Sequence, residues 1–108
     1  MEEYESVART PEVGPGQVRE VEAHGETLAL LNVGQTYYAV DARCPADGTN
    51  LAREGRLKGE LLVCPEDEAA YDVRTGERVG SDGAQGLQSY AIRVEGNVIR
   101  VGPALERE

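Results

Sequence analysis

Short runs rich in Val, Leu, Ile and Tyr recur along the chain, and Gly, Pro, Asn or Asp breaks each run after a few positions. That spacing predicts strands and turns nearly throughout. No stretch keeps the helical spacing of apolar positions for three turns. A first strand is expected from Tyr4 to Ala8. Pro11, Gly14, Pro15 and Gly16 then interrupt the chain ahead of a second strand from Gln17 to Ala23, and His24-Gly25 supplies a turn. The clearest signal is the pair Glu26 to Val33 and Gln35 to Asp41, two runs of aliphatic and tyrosine side chains joined tightly at Gly34. Such a pair reads as a hairpin. A second hairpin follows near the C-terminus: Leu87 to Glu95 alternates Tyr90, Ile92 and Val94 onto one face, and Gly96-Asn97 turns it into Val98 to Val101. Ala104 to Glu108 is expected to be a frayed polar tail.

Between the hairpins, from Arg43 to Gly86, the chain is irregular and carries seven of its 13 glycines. Only Leu61 to Val63 and Ala70 to Val73 read as strands there. A loop-rich insertion carried by a β scaffold is where function usually sits. The length, 108 residues, fits a single domain spanning 1–108. With no Trp or Phe and only 5 Tyr, aliphatic side chains must build the core.

Charge removes several partner classes. Lys+Arg 11 against Asp+Glu 20 leaves a net charge of -9, which repels phosphate backbones and anionic lipid surfaces, so neither nucleic acid nor membrane is an expected partner. No apolar run approaches the roughly 18 residues of a membrane span. The start, Met1-Glu2-Glu3-Tyr4, lacks the positive charge and apolar stretch of a secretory signal, and a cytoplasmic location is expected. No Ser/His/Asp set, phosphate-cradling glycine loop or HExxH motif is present. The chain is therefore not expected to be an enzyme by itself.

Within the insertion one short pattern occurs twice, as Cys44-Pro45-Ala46-Asp47-Gly48 and as Cys64-Pro65-Glu66-Asp67-Glu68. A thiolate and a carboxylate three residues apart in a proline-containing turn can point at one ion, so Cys44, Asp47, Cys64 and Asp67 form a candidate metal-ligand set. The plainer alternative is a pair of solvated loops with buried thiols.

These loops and their surroundings carry a resemblance. The segments Val40-Asp41-Ala42-Arg43-Cys44-Pro45, Leu51, Gly55 to Leu57, Gly59, Leu62 to Pro65, Tyr71-Asp72-Val73-Arg74-Thr75-Gly76 and Tyr90 to Gly96 resemble the Rieske-type ferredoxins and the Rieske domains of ring-hydroxylating oxygenases. The resemblance implies an all-β, Rieske-like antiparallel β-sandwich, with a loop-rich cluster-binding lobe, about 43–80, inserted between the hairpins. It also implies two loops, Cys-x-His and Cys-x-x-His, clasping a [2Fe-2S] cluster with two Cys on one iron and two His on the other. Tyr71, by the same comparison, is placed with its ring under the second loop; the plainer alternative, an ordinary core tyrosine, is the favoured reading.

Laid on this sequence, the cysteines of that pattern fall on Cys44 and Cys64, whereas the histidine positions hold Ala46 and Asp67. Glu68 stands where similar loops commonly carry glycine. The only histidine is His24, assigned to a turn, and one histidine cannot supply two imidazole ligands. A cofactor of the normal Rieske type is therefore not expected. The resemblance implies an electron carrier that meets an oxygenase or reductase partner, and this copy reads as an accessory or binding module with an altered site. It is similar in this to the small subunits of assimilatory nitrite reductases. Three alternatives stay open: an active carrier with a nonstandard [2Fe-2S] or Zn centre on Cys44, Cys64, Asp67 and Asp47; a Cys44-Cys64 disulfide; and a working ferredoxin whose histidines were substituted away.

Overall fold

The computed structural model describes residues 3–45, 48–65, 69–80 and 85–105. Strands β1 (Glu5–Arg9), β2 (Val18–Ala23), β3 (Glu26–Val33) and β4 (Thr36–Asp41) precede a single helical turn, α1 (Leu51–Glu54). Four short strands follow, β5 (Arg56–Lys58), β6 (Leu61–Val63), β7 (Ala70–Asp72) and β8 (Arg78–Val79), and the long hairpin β9 (Ser89–Glu95) and β10 (Val98–Ala104) completes the chain's regular structure. The strands form two antiparallel sheets, one of six in the order β1-β10-β9-β4-β3-β2 and one of four in the order β5-β6-β7-β8.

Two cores result, and β3 serves both. Side chains of a strand alternate between its faces, so Leu28 and Leu30 join one cluster with Val13, Val21, Ala39, Ile99 and Val101, while Ala29 and Leu31 join another. The first cluster draws on both ends of the strand order, so the six-stranded sheet is rolled on itself. The second lies between that sheet and the small one, where Leu31 and Val40 meet Leu51, Leu62, Tyr71, Val73 and Leu87. Each leucine buried there contributes on the order of 2 kcal/mol. A strand with two dry faces needs an unbroken apolar run, and Leu28 to Leu31 provides it.

The two-residue turns are where the hairpins were expected. His24 (φ 56) and Gly25 (φ 76) take up the left-handed region that a tight hairpin turn demands, as do Gly34 (φ 56) and Gln35 (φ 74). Gln35 therefore belongs to its turn and not to the strand after it. His24 also closes the roll. Its backbone N–H donates to Glu5 Oε1 at 3.1 Å, Nδ1 stands 3.3 Å from Glu5 Oε2, and Nε2–H donates to the Val101 carbonyl at 3.2 Å. One side chain thus ties the β2–β3 turn to β1 and β10.

Besides Gln35, the structure departs from the sequence pattern in four further places. The lobe holds four strands instead of two, because β5 (Arg-Leu-Lys) and β8 (Arg-Val) are short and mostly basic and lack the apolar run that marks β6. Helix α1 is a single turn, held by the Asn50 side chain, whose Oδ1 accepts from Ala52 N–H at 2.9 Å and Arg53 N–H at 3.2 Å. Ala104 is strand and not tail: it pairs with Tyr90, and Leu105 N–H continues the ladder onto the Ser89 carbonyl at 2.9 Å. Val94, expected on one face with Tyr90 and Ile92, is 43% exposed although its cross-strand partner Ile99 is buried, since β4 pairs with β9 only at Ser89 and Tyr90 and leaves the Val94 end of β9 without a neighbour on that side. Among the described residues no helix is long and apolar enough to cross a membrane.

Candidate functional site: two cysteine loops

The duplicated sequence pattern folds into duplicated geometry. Cys44 follows β4 and Cys64 follows β6, and in each loop the cysteine N–H donates to the carbonyl five residues on: Cys44 to Thr49 at 2.9 Å, Cys64 to Ala69 at 2.8 Å. The first loop is tightened further by Gly48, whose N–H donates to the Cys44 carbonyl at 2.8 Å with φ 78, a backbone state that glycine takes without steric cost. Both cysteines are buried thiols, 1% and 0% exposed, and both lie in the core between the two sheets.

Tyr71 connects them. Its partner across β6 is Leu62, so Cys64, bonded to Ala69 two residues before Tyr71, is its diagonal neighbour on the same face of the small sheet. The Tyr71 ring is fully buried and its hydroxyl lies 3.5 Å from Cys44 Sγ. The ring is a core side chain, as the plainer reading of it expects, and its hydroxyl reaches the first thiol, a contact that the sequence does not show. Arg78 adds a cation on the far side, its guanidinium carbon 5.8 Å from the Tyr71 ring centroid. The Arg78 Nε is buried without a hydrogen-bond partner among the described residues.

The remaining members of the expected set, Ala46, Asp47 and Asp67, lie outside the described residues, as do Glu66 and Glu68. Among the described residues no group of three or more His, Cys, Asp or Glu side chains converges as a metal site. A Cys2His2 cluster needs two imidazoles. The chain has one, and both its ring nitrogens are engaged in the His24 clasp with Glu5 and Val101. The donor set present does not fit that cluster.

The loops are braced from outside by polar contacts. Glu20 on β2 accepts from Asn50 Nδ2 at 2.9 Å and Arg53 Nε at 2.8 Å, which pins the end of the first loop to the large sheet and lowers the Glu20 pKa through the Asn50 bond first and the Arg53 bond second. On the lobe, Arg74 holds Asp72 through two bonds, Nη2 to Oδ2 at 2.9 Å and Nε to Oδ1 at 3.1 Å, and these keep the Asp72 carboxyl below its ordinary range. A cleft of about 590 Å³ opens beside the first loop, between Gly25, Asp41, Arg43, Pro45, Asn50 and Leu87.

Where β4 leads into that loop, the Tyr90 hydroxyl donates to Asp41 Oδ1 at 2.8 Å. Burial first, then the bond to Asp41 and the charges of Asp41 and Glu26, raise the Tyr90 phenol above its ordinary value of 10. A raised pKa in the folded state stabilises the protein fully below the unfolded value and is lost as pH climbs past it. The wild type is therefore expected to lose stability from about pH 10 upward, and Tyr90→Phe is expected to remove that part of the alkaline slope. Urea midpoints of both proteins at pH 9 and 11 measure it. Parallel slopes would show that the phenol does not couple to folding.

A family model for the Rieske [2Fe-2S] domain matches residues 3–91. Among curated relatives, the ferredoxin component of the naphthalene 1,2-dioxygenase system of Pseudomonas aeruginosa is 29% identical over 90 residues, covering 83% of this chain and 86% of its own. The ferredoxin subunit of the 3-phenylpropionate/cinnamic acid dioxygenase of Shigella flexneri serotype 5b (strain 8401) is 33% identical over 73 residues, 67% of this chain and 68% of its own. Among solved structures, a chain from the complex of reduced oxygenase and oxidized ferredoxin in carbazole 1,9a-dioxygenase superposes with a TM-score of 0.87 at 27% identity, covering 100% of both chains.

Proposed function

The chain belongs to the Rieske [2Fe-2S] domain family, and from that premise we infer that it is a small non-catalytic component of an oxygenase-type electron-transfer system whose own cluster site has been altered. Relatives named as ferredoxin components of dioxygenase systems support the family role and a redox protein, an oxygenase or reductase component, as partner. The observation that carries the altered site is the histidine inventory. The one imidazole closes the rolled sheet, and positions 46 and 67, where the resemblance places histidine, hold Ala46 and Asp67. On this reading residues 1–108 form one domain, the lobe from about 43 to 80 is a former cluster-binding lobe, and the protein contributes docking in place of electron storage.

A second reading is favoured by the duplicated loops, each of which carries an aspartate three residues after its cysteine. On it, Cys44, Asp47, Cys64 and Asp67 would hold a nonstandard [2Fe-2S] cluster or a zinc ion. Carboxylates are harder ligands than imidazole and anionic, so they would lower the potential of any iron centre they joined.

An absorption spectrum of anaerobically purified protein, with iron, zinc and acid-labile sulfide analysis, separates the two. A colourless sample with iron and sulfide far below one per chain is expected. About two irons and two sulfides per chain would overturn the altered-site reading, and zinc without sulfide would transfer support to a structural metal on the same four residues.

A further inference from the structure

We propose that His24 is a pH-sensitive fastener for the seam of the rolled six-stranded sheet, closing it while the imidazole is protonated and loosening it when the ring gives up its proton. The seam lies between β1 and β2, the two ends of the strand order, and no backbone ladder joins them. Side chains and turns must hold what the backbone does not. Past the Arg9 end of β1 the chain is tied by Thr10, whose N–H donates to the Asn97 carbonyl at 2.9 Å and whose carbonyl accepts from the Tyr37 hydroxyl at 3.4 Å. At the Glu5 end, the polar contacts that cross the seam among the described residues all run through His24.

The partners of the ring fix its proton count. Nε2 lies 3.2 Å from the Val101 carbonyl and Nδ1 3.3 Å from Glu5 Oε2. Neither a carbonyl nor an ionised carboxylate has a hydrogen to give, so each contact asks for a ring N–H, and only the imidazolium has two. A neutral ring keeps the Val101 bond by turning an unprotonated Nδ1 toward the Glu5 carboxylate, or keeps Glu5 by setting a lone pair against the carbonyl. Either way one of the two contacts is lost. The Glu5 carboxylate also has a second duty, because its Oε1 accepts from the His24 backbone N–H at 3.1 Å. Loss of the ring charge therefore loosens the hold of β1 on the turn itself.

The charges on the packed strands work in the same direction. Glu5 is the group that β1 brings to the ring, and Glu22 and Glu26, both exposed, flank the turn on its own hairpin. The cations are engaged elsewhere or distant along their strands. Arg100 on β10 pairs with Glu95 at 2.9 Å, and the Arg93 guanidinium on β9 lies over the Tyr4 ring, 4.2 Å from its centroid. Arg9 and Arg19 stand at the opposite ends of β1 and β2. A contact made only by the protonated ring is present in full below the histidine range and is lost as pH rises through it, about 6 to 7 for an ordinary imidazole.

The His24 amide reports the clasp directly, and its hydrogen exchange in the intact protein is the test. Its protection, taken relative to the unstructured rate at each pH and to the β3 amides as a measure of global opening, is expected to be about 3- to 10-fold higher at about pH 5.5 than at about pH 8. His24→Asn keeps a residue that accepts the left-handed backbone and removes the titrating ring, while Glu5→Gln removes the carboxylate. Each variant should abolish most of the difference between the two pH values. An α-amino group and the thiols, which titrate near the same window, remain in both variants, so a difference that survives in His24→Asn would overturn the proposal. If a variant fails to fold, the wild type decides alone. Protection should then fall over the same pH range in which the nitrogen-15 shifts of the His24 ring record loss of the proton. Protection that stays constant, rises with pH, or falls outside that range would also overturn it.

Discussion

Gly76→Ala is expected to destabilise the protein by about 3 to 5 kcal/mol, a large part of the 5 to 15 kcal/mol that typically separates folded from unfolded domains. Gly76 has φ 84, and a Cβ there would fall inside the carbonyl of Leu87, with the oxygen as its nearest neighbour and the carbon at 2.9 Å. The neighbour is backbone and cannot swing aside. It is also bonded at that point: Leu87 N–H donates to the Gly76 carbonyl at 2.6 Å, and Gly76 N–H donates to Asp72 at 2.6 Å. Relieving the clash must displace Leu87, which is 1% exposed and part of the core around the cysteines. The left-handed penalty of about 1 to 2 kcal/mol is therefore joined by lost hydrogen bonds at about 1 kcal/mol each. Gly80 is the control. It has nearly the same dihedral, φ 82, with nothing among the described residues within 4 Å of a Cβ, so Gly80→Ala should cost only the conformational part. Urea unfolding of the two variants compares them directly, and equal losses would refute the steric account.

The second large effect is a gain. Ala46→His combined with Asp67→His is expected to let the protein take up about two irons and two sulfides per chain on anaerobic reconstitution, where the wild type takes up none and each single variant far less. Both cysteines already sit at equivalent points of two loops closed by the same backbone bond, and the Tyr71 hydroxyl already stands 3.5 Å from the first thiol. What the resemblance says is missing is a pair of neutral imidazoles, and the two substitutions supply them. Iron, sulfide and visible absorption after desalting are the readouts. A double variant that remains colourless would mean that more than the ligands has changed, with Glu68, at a position where similar loops commonly carry glycine, the next residue to revert.

Much of the scaffold was legible because its signals are local. Gly34 and Gly25 mark turns whose two residues must have positive φ, and runs of aliphatic and tyrosine side chains flank Gly34 on both sides. The elements that were missed lack such signals: Arg56–Lys58 and Arg78–Val79 are short and mostly basic, with no apolar run to mark them, and α1 is a single turn set by one capping side chain. Val94 follows the alternation of Tyr90 and Ile92 and is nonetheless exposed, since a period tells which residues share a face but not where the core beneath that face stops. At the site, the repeated Cys-Pro pattern pointed to Cys44 and Cys64. Nothing local pointed to Arg78 behind the Tyr71 ring, to the Asn50 bond that pins the first loop, or to the Tyr90 bond to Asp41.

The sequence by itself determined the inventory and the local conformations. Folding cannot create a second histidine, so a chain with one excludes a Cys2His2 centre within itself whatever its shape. Tertiary structure decided how that inventory is used. It committed His24 to a clasp with a carbonyl 77 residues away, set the Tyr71 hydroxyl against a thiol 27 residues away, and made β3 an interior strand with a core on each face. Those contacts join residues with no local relation in the chain. They form when packing and hydrogen bonding outweigh the entropy of closing the loops between them, and that balance belongs to the whole fold.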